Sequence, residues 1–185
     1  MRKIGYLFLL ENFLYLMYNA SMKTNDKGIE IERKFLVAFP TPNILTKADL
    51  RIDIVQTYLH AINGVRRLRK CTIDGETTYV YTIKKDITPV TREEREGEID
   101  KDTYLALMLE GASRTIQKSR YVYNLGNHKF ELDVYPFFKD KAILEIELNS
   151  EDEEFVIPEF IKVIREVTGE KEYLNATLAE NYGNE

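Results

Sequence analysis

From Ile29 to Val37 the chain reads Ile-Glu-Ile-Glu-Arg-Lys-Phe-Leu-Val. With a period of two, Glu30, Glu32 and Lys34 fall on one face of a strand, and Ile29, Ile31 and Phe35 on the other. Alternate side chains on a strand lie ~6.6 Å apart. Two carboxylates at that spacing can approach one divalent cation or two neighbouring ones, with an ammonium one step further to meet an anion. A single strand of this kind reads as the solvated face of an amphipathic strand. The constraint on the fold comes from recurrence.

Further along, Arg67 and Arg69 share a face, Lys84 shares one with Val80 and Thr82, and Arg92, Glu94 and Glu96 line up. Lys118 then pairs with Arg120, Glu131 with Asp133, and Glu145 with Glu147. Turn signals at Asn63-Gly64, Asp74-Gly75 and Gly126-Asn127 punctuate these runs. The pattern predicts eight strands, over residues 29–37, 54–60, 65–72, 77–85, 88–99, 114–125, 129–135 and 142–149. Helices are predicted over 46–51 with Thr46 as N-cap, over 158–167 opened by Pro158, and over 174–181. Another, over 101–110, is capped by Asp100, carries an apolar stripe of Tyr104, Leu105, Met108 and Leu109, and stops at Gly111. The fold class is α+β: a closed antiparallel eight-stranded β-barrel with a few flanking helices. If the sheet closes, the charged faces share one lumen and the apolar faces pack outside, beneath the helices. Buried charge is costly unless paired or bound to metal. Such an interior calls for a polyanion together with a divalent cation.

The 185 residues suit one domain, and 44% hydrophobic with 31% charged residues is a globular balance. A net charge of -5 argues against a general nucleic-acid binder. The single cysteine, Cys71, excludes an internal disulfide and fits a reducing compartment, so a cytoplasmic location is expected. Residues 1–21 are basic, then apolar, but Glu11 and Asn12 interrupt the apolar run. Tyr18 occupies the −3 position of any cleavage after Ala20. The segment is too short and too interrupted to span a membrane. Residues 1–27 are therefore read as an extension outside the core, with 28–185 as a single domain. His60, His128 and the acidic run 151–154 are read as ordinary surface or strand-end groups.

Glu30-Ile31-Glu32-Arg33-Lys34 resembles the ExExK signature of the CYTH superfamily, the triphosphate tunnel metalloenzymes. The resemblance runs from Ile29 to about Asn181. It takes in Arg67-Leu68-Arg69, Thr82-Ile83-Lys84, an RxExE at Arg92 to Glu96, a KxRY at Lys118 to Tyr121, Glu131-Leu132-Asp133 and Glu145-Ile146-Glu147. It implies a tunnel of eight antiparallel strands that binds linear triphosphates. Members include inorganic, thiamine and RNA triphosphatases and class IV adenylyl cyclases, and the bacterial members most similar to this chain are typically inorganic triphosphatases. On that resemblance Arg67, Arg69, Arg92, Lys84, Lys118 and Arg120 would bind the triphosphate. Glu30, Glu32, Glu145 and Glu147 would hold Mg²⁺ or Mn²⁺. Lys34, Glu94, Glu96 and Asp133 would serve the chemistry, in part through a second ion. A small-molecule triphosphate is the expected partner, with no nucleic acid and no membrane, and homodimers are common in the family. A cyclase, a thiamine triphosphatase and a non-catalytic polyphosphate-binding module remain the alternatives.

Overall fold

In the computed structural model, which describes residues 25–61, 64–111 and 114–183, the organising segment is the longest strand, β1 (Asn25–Ala38). Seven more strands follow: β2 (Leu50–Leu59), β3 (Val65–Ile73), β4 (Glu76–Asp86), β5 (Thr91–Glu98), β6 (Thr115–Leu125), β7 (His128–Val134) and β8 (Lys141–Leu148). They pair in the order β5-β4-β3-β2-β6-β7-β8-β1, and β1 also pairs with β5, which closes an eight-stranded barrel. Every pairing is antiparallel. Tight turns make this possible. Asp74 and Gly75 both take positive φ, 49° and 89°, as a two-residue hairpin turn of matching twist requires. Asn63 of the first expected turn lies outside the described residues, as do residues 1–24.

The apolar faces point outward and are covered. On one side Phe35, Val37, Tyr123, Phe130, Leu132, Leu144 and Ile146 form a buried layer under Ile44, Leu45, Phe155, Ile157 and Phe160. On the other, Leu59, Leu68 and Tyr81 pack against Tyr104 and Leu107 of helix α2 (Lys101–Gly111). Asp100 caps that helix, accepting from the Thr103 amide at 2.9 Å. Its stripe differs from the expected one: Tyr104, Leu107 and Met108 face the sheet, while Leu105 and Leu109 are exposed. Positions i, i+3 and i+4 share one helix face, whereas Leu105 and Leu109 lie on the neighbouring one.

Two helix expectations fail for identifiable reasons. Helix α1 is Pro42–Leu45, with Pro42 in the first turn after the N-cap Thr41, and Thr46 is its C-cap rather than the N-cap of a helix over 46–51. Residues 158–167 form no helix. Val163–Glu166 is a ninth strand, β9, laid on β1 beside Phe35, Leu36 and Val37. The cause is β1 itself. Its register with β5 ends at Ile31, so the far half of that edge would leave backbone groups unpaired without β9. Helix α3 (Asn175–Tyr182) closes the chain after a 3₁₀ turn at Lys171–Tyr173.

Candidate active site

The charged faces of seven of the eight strands meet inside the barrel around a cavity of about 360 Å³. Its wall carries Glu30, Glu32 and Lys34 from β1, Arg67 and Arg69 from β3, and Lys84 from β4. Arg92, Glu94 and Glu96 come from β5, Arg120 from β6, Glu131 from β7, and Glu145 and Glu147 from β8. All thirteen were expected to share one lumen from their alternation, and they do. Lys118 and Asp133 have the same phase but sit deeper, with side chains 1% and 0% exposed, behind Arg120 rather than on the cavity wall.

Acids and bases are interleaved in contact. Arg120 grips Asp133 through Nε and Nη2, each at 2.7 Å, and also holds Glu131 and, at 2.5 Å, Glu145. Lys118 donates to Asp133 from the other side. Lys34 Nζ lies 2.8 Å from Glu145 and 3.5 Å from Glu32. Lys84 bridges Glu30 and Glu94 at 2.7 Å each. Arg67 Nη2 reaches Thr82 at 3.2 Å and Glu94 and Glu96 at 3.3 Å, and Arg69 caps Glu96. Arg92 approaches Glu30 more loosely, at 3.7 Å.

This arrangement drives the carboxylates apart in acidity. Burial pushes Glu94 up to about 7, against the pull of Lys84 and Arg67. Burial acts on Glu30 in the same direction, but Lys84 and a hydrogen bond with Glu94 bring it down to about 2. Glu96 is likewise brought to about 2, with Arg69 and Arg67 outweighing its burial. Glu145 is held far below the ordinary carboxylate range because Lys34, Lys118 and Arg120 overcome its burial. Glu32 goes the other way: burial and the neighbouring Glu145 raise it, and Lys34 compensates only in part. Lys118 is lowered by burial and by Arg120.

A carboxylate like Glu32, buried beside Glu145 and only partly balanced by Lys34, is suited to a divalent cation. Among the described residues no three His, Cys, Asp or Glu side chains converge as a ready-made metal cage. Mg²⁺ does not require one, since one or two carboxylates plus substrate phosphate oxygens and water satisfy it. Glu30, Glu32, Glu145 and Glu147 supply hard oxygen donors from adjacent strands, which suits that mode.

Four further residues line the cavity without a site role expected from the sequence: Tyr58, Cys71, Lys129 and Asn175. Lys129 lies in phase with Glu131 and Asp133 and was findable by extending that alternation by one step. Lys129 Nζ is 2.7 Å from Glu131 and 3.7 Å from Glu147. Tyr58 is in phase with Ile52 and Ile54, but their apolar character hides the inward face of β2. It receives a hydrogen bond from Gln56 Nε2 at 2.6 Å, and burial pushes its hydroxyl up to about 12. Cys71, two residues from the end of β3, is a half-buried thiol facing the cavity. Asn175 arrives at the start of α3, far along the chain from the charged strands.

No family model matches the chain. It is 30% identical over 158 residues to the inorganic triphosphatase of Acetivibrio thermocellus, spanning 83% of this chain and 95% of that protein. The solved structure of the inorganic triphosphatase NE1496 superposes with a TM-score of 0.50 at 32% identity, over 82% of this chain and 94% of that one. The PH1819 protein from Pyrococcus horikoshii shares the fold at 23% identity and a TM-score of 0.50, over 66% and 80% of the two chains. On the relative of Acetivibrio thermocellus and the closed eight-stranded barrel, the chain belongs to the CYTH family of triphosphate tunnel metalloenzymes.

Proposed function

We propose that the protein hydrolyses linear triphosphate, foremost inorganic triphosphate, to pyrophosphate and phosphate within the barrel. The observation that carries this reading is the cavity within the barrel whose wall interleaves cations and carboxylates. A triphosphate offers many anionic oxygens at fixed spacing, and guanidinium forks and ammoniums on several strands match them. Arg67, Arg69, Lys84, Arg92 and Arg120 orient the phosphates, while Lys118 supports Arg120 from behind through Asp133. Glu30, Glu32, Glu145 and Glu147 would hold Mg²⁺ or Mn²⁺, which when bound neutralises charge on the bridging and leaving oxygens. Glu94 is suited to accept a proton from the attacking water, because burial places its acidity near neutrality. Lys34 keeps Glu32 and Glu145 in place. Little covalent chemistry falls to the protein, whose contribution is positioning and electrostatics.

The relative in Acetivibrio thermocellus and NE1496 are both named inorganic triphosphatases, which supports the same activity here. Among the described residues no helix is long and apolar enough to cross a membrane. A cytoplasmic location with a small-molecule substrate belongs to this reading. The test is phosphate release by purified protein from inorganic triphosphate, thiamine triphosphate and ATP with Mg²⁺ or Mn²⁺, alongside cyclic AMP formation. Fastest turnover of inorganic triphosphate is expected. Cyclic AMP as the main product, or tight binding with no product at all, would overturn the proposal.

A further inference from the structure

The cavity has a floor. At one end of the barrel the inward-facing residues are apolar or aromatic: Tyr58 of β2, Ile116 of β6, Ile143 of β8 and Tyr135 just beyond β7. They are buried together with Leu178 and Ala179 of α3, so this end is filled. Leu174, Asn175 and Ala176 reach the cavity from the same side. Leu174 is the N-cap of α3 and Asn175 its first residue, so the helix presents its N-terminus to the cavity. The first amides of an α-helix have no partner within the helix, and no side chain caps this one. The Asn175 Oδ1 is engaged elsewhere, accepting from the Tyr135 hydroxyl at 2.5 Å. Such an end carries about half a positive charge with its N–H groups directed outward.

A second observation lies on the wall of the same cavity. Arg67 pairs across the sheet with Tyr58, one of the floor residues. It is 8% exposed, and its Nε has no hydrogen-bond partner, while Nη2 holds Thr82, Glu94 and Glu96. A buried, unsatisfied guanidinium donor is costly unless a ligand meets it.

We propose that the first turn of α3 and the Arg67 guanidinium together receive a terminal phosphoryl group of the substrate, which stands end-on with one terminus at the floor. This rests on the triphosphate reading and sharpens it. The ligand class is a linear polyphosphate with at least one unesterified end, because a terminal oxygen fits against bare amides and an ester substituent does not. A nucleoside triphosphate enters only with its free terminus first, leaving the nucleoside toward the mouth.

Asn175 allows a test of the backbone itself. Proline is tolerated at the first helical position, and Leu174 already has φ -70° and ψ 132°, the extended conformation that a following proline demands. Asn175→Ala and Asn175→Pro both remove the Tyr135 partner, but only the proline removes the N–H. Calorimetric binding of inorganic triphosphate is expected to be at least tenfold weaker in Asn175→Pro than in Asn175→Ala. Equal affinity in two folded variants overturns the floor. Asn175→Asp covers the case in which the proline variant fails to fold, since it keeps the acceptor for Tyr135 and its charge favours the helix end. Its melting temperature is expected to equal or exceed wild type while KM rises at least tenfold, and an unchanged KM overturns the proposal. If the wild-type protein neither binds nor hydrolyses inorganic triphosphate, the functional reading falls and takes the floor with it. Wild-type turnover with insensitive variants removes the floor alone.

Discussion

Arg120 shows how a single side chain inside the barrel carries both stability and chemistry. It contacts Glu131, Asp133 and Glu145 while nine-tenths buried. Removing one partner of a buried ion cluster leaves the others uncompensated, which costs about 3–5 kcal/mol. Urea denaturation of Arg120→Ala should show a loss of that size, and a loss below about 1 kcal/mol would mean that the three carboxylates find other partners. Glu32→Gln and Arg67→Ala act differently. Each should lower kcat/KM for triphosphate by roughly a hundredfold or more with little change in the circular-dichroism spectrum, since each removes a charge that the substrate complex uses. Glu94 gives the pH prediction. Its acidity moves from 4.5 up to about 7 on folding, so its contribution to stability is fully present below pH 4.5 and is lost as the pH rises through about 7. Glutamine cannot ionise. In metal-free protein with chelator, the melting temperature of Glu94→Gln relative to wild type should therefore climb between about pH 5 and about pH 8; a pH-independent difference would refute the assignment. Alternation in the sequence told which side each of these residues faces, because a strand has only two sides. It could not tell depth. Lys118 and Arg120 have the same phase, yet one lines the cavity and the other is sealed behind it.

At the scale of elements, what was readable depended on whether local chemistry or a distant partner decided the outcome. Hairpins with Gly at the turn, and helix α2 with its Asp100 cap, are local decisions, and both were legible. Residues 158–167 were not, because Pro158 and the residues after it suit a helix start. Only the vacant edge of β1, set by where β5 stops pairing, draws Val163–Glu166 into a strand. The eight-strand closure was inferred from the number of strands and the tight turns that join them, whereas the ninth strand is fixed by its backbone pairing with β1 and by the Arg33–Glu166 ion pair, a contact between residues far apart in the chain. Gly64 tests the hairpin logic. Its φ is +75°, and a Cβ there would lie 2.2 Å from the Lys84 carbonyl oxygen. Both backbone strain and a clash with the neighbouring strand oppose any larger residue. Gly64→Ala should lower the unfolding free energy by about 2 kcal/mol or more, measured by chemical denaturation. Wild-type stability would mean that β3 and β4 separate freely at this end. Because Lys84 bridges Glu30 and Glu94, the same variant should also disturb the site.

For the molecule as a whole, the balance of charge inside the barrel makes metal and triphosphate depend on each other. Nearly every lumen cation sits on a carboxylate: Lys34 on Glu145, Lys84 on Glu30 and Glu94, Arg69 on Glu96 and Arg120 on three acids. A triphosphate that takes the cations strips those carboxylates of their partners, and buried carboxylates without partners are costly. A divalent ion arriving alone meets carboxylates already occupied by ammonium and guanidinium groups, so it must displace them. Together the two ligands exchange partners, with phosphates on the bases and metal on the acids, and no buried charge is left over. Each ligand then raises the affinity for the other by the same factor, as linkage requires. Ligands that bind only the folded state stabilise by RT ln(1 + [L]/Kd), about 2.7 kcal/mol at a hundred times Kd. For a chain of this size each kcal/mol moves the melting temperature by about 2–4 °C. Scanning calorimetry with Ca²⁺ or Mg²⁺ alone, triphosphate alone, and both should give a combined shift larger than the sum of the separate shifts. The variant Glu32→Gln should shrink that excess while leaving the shift from triphosphate alone equal or greater, because the neutral amide no longer repels the anion. Strictly additive shifts in the wild-type protein would show that the ion pairs inside the barrel are not the ones that the ligands exchange.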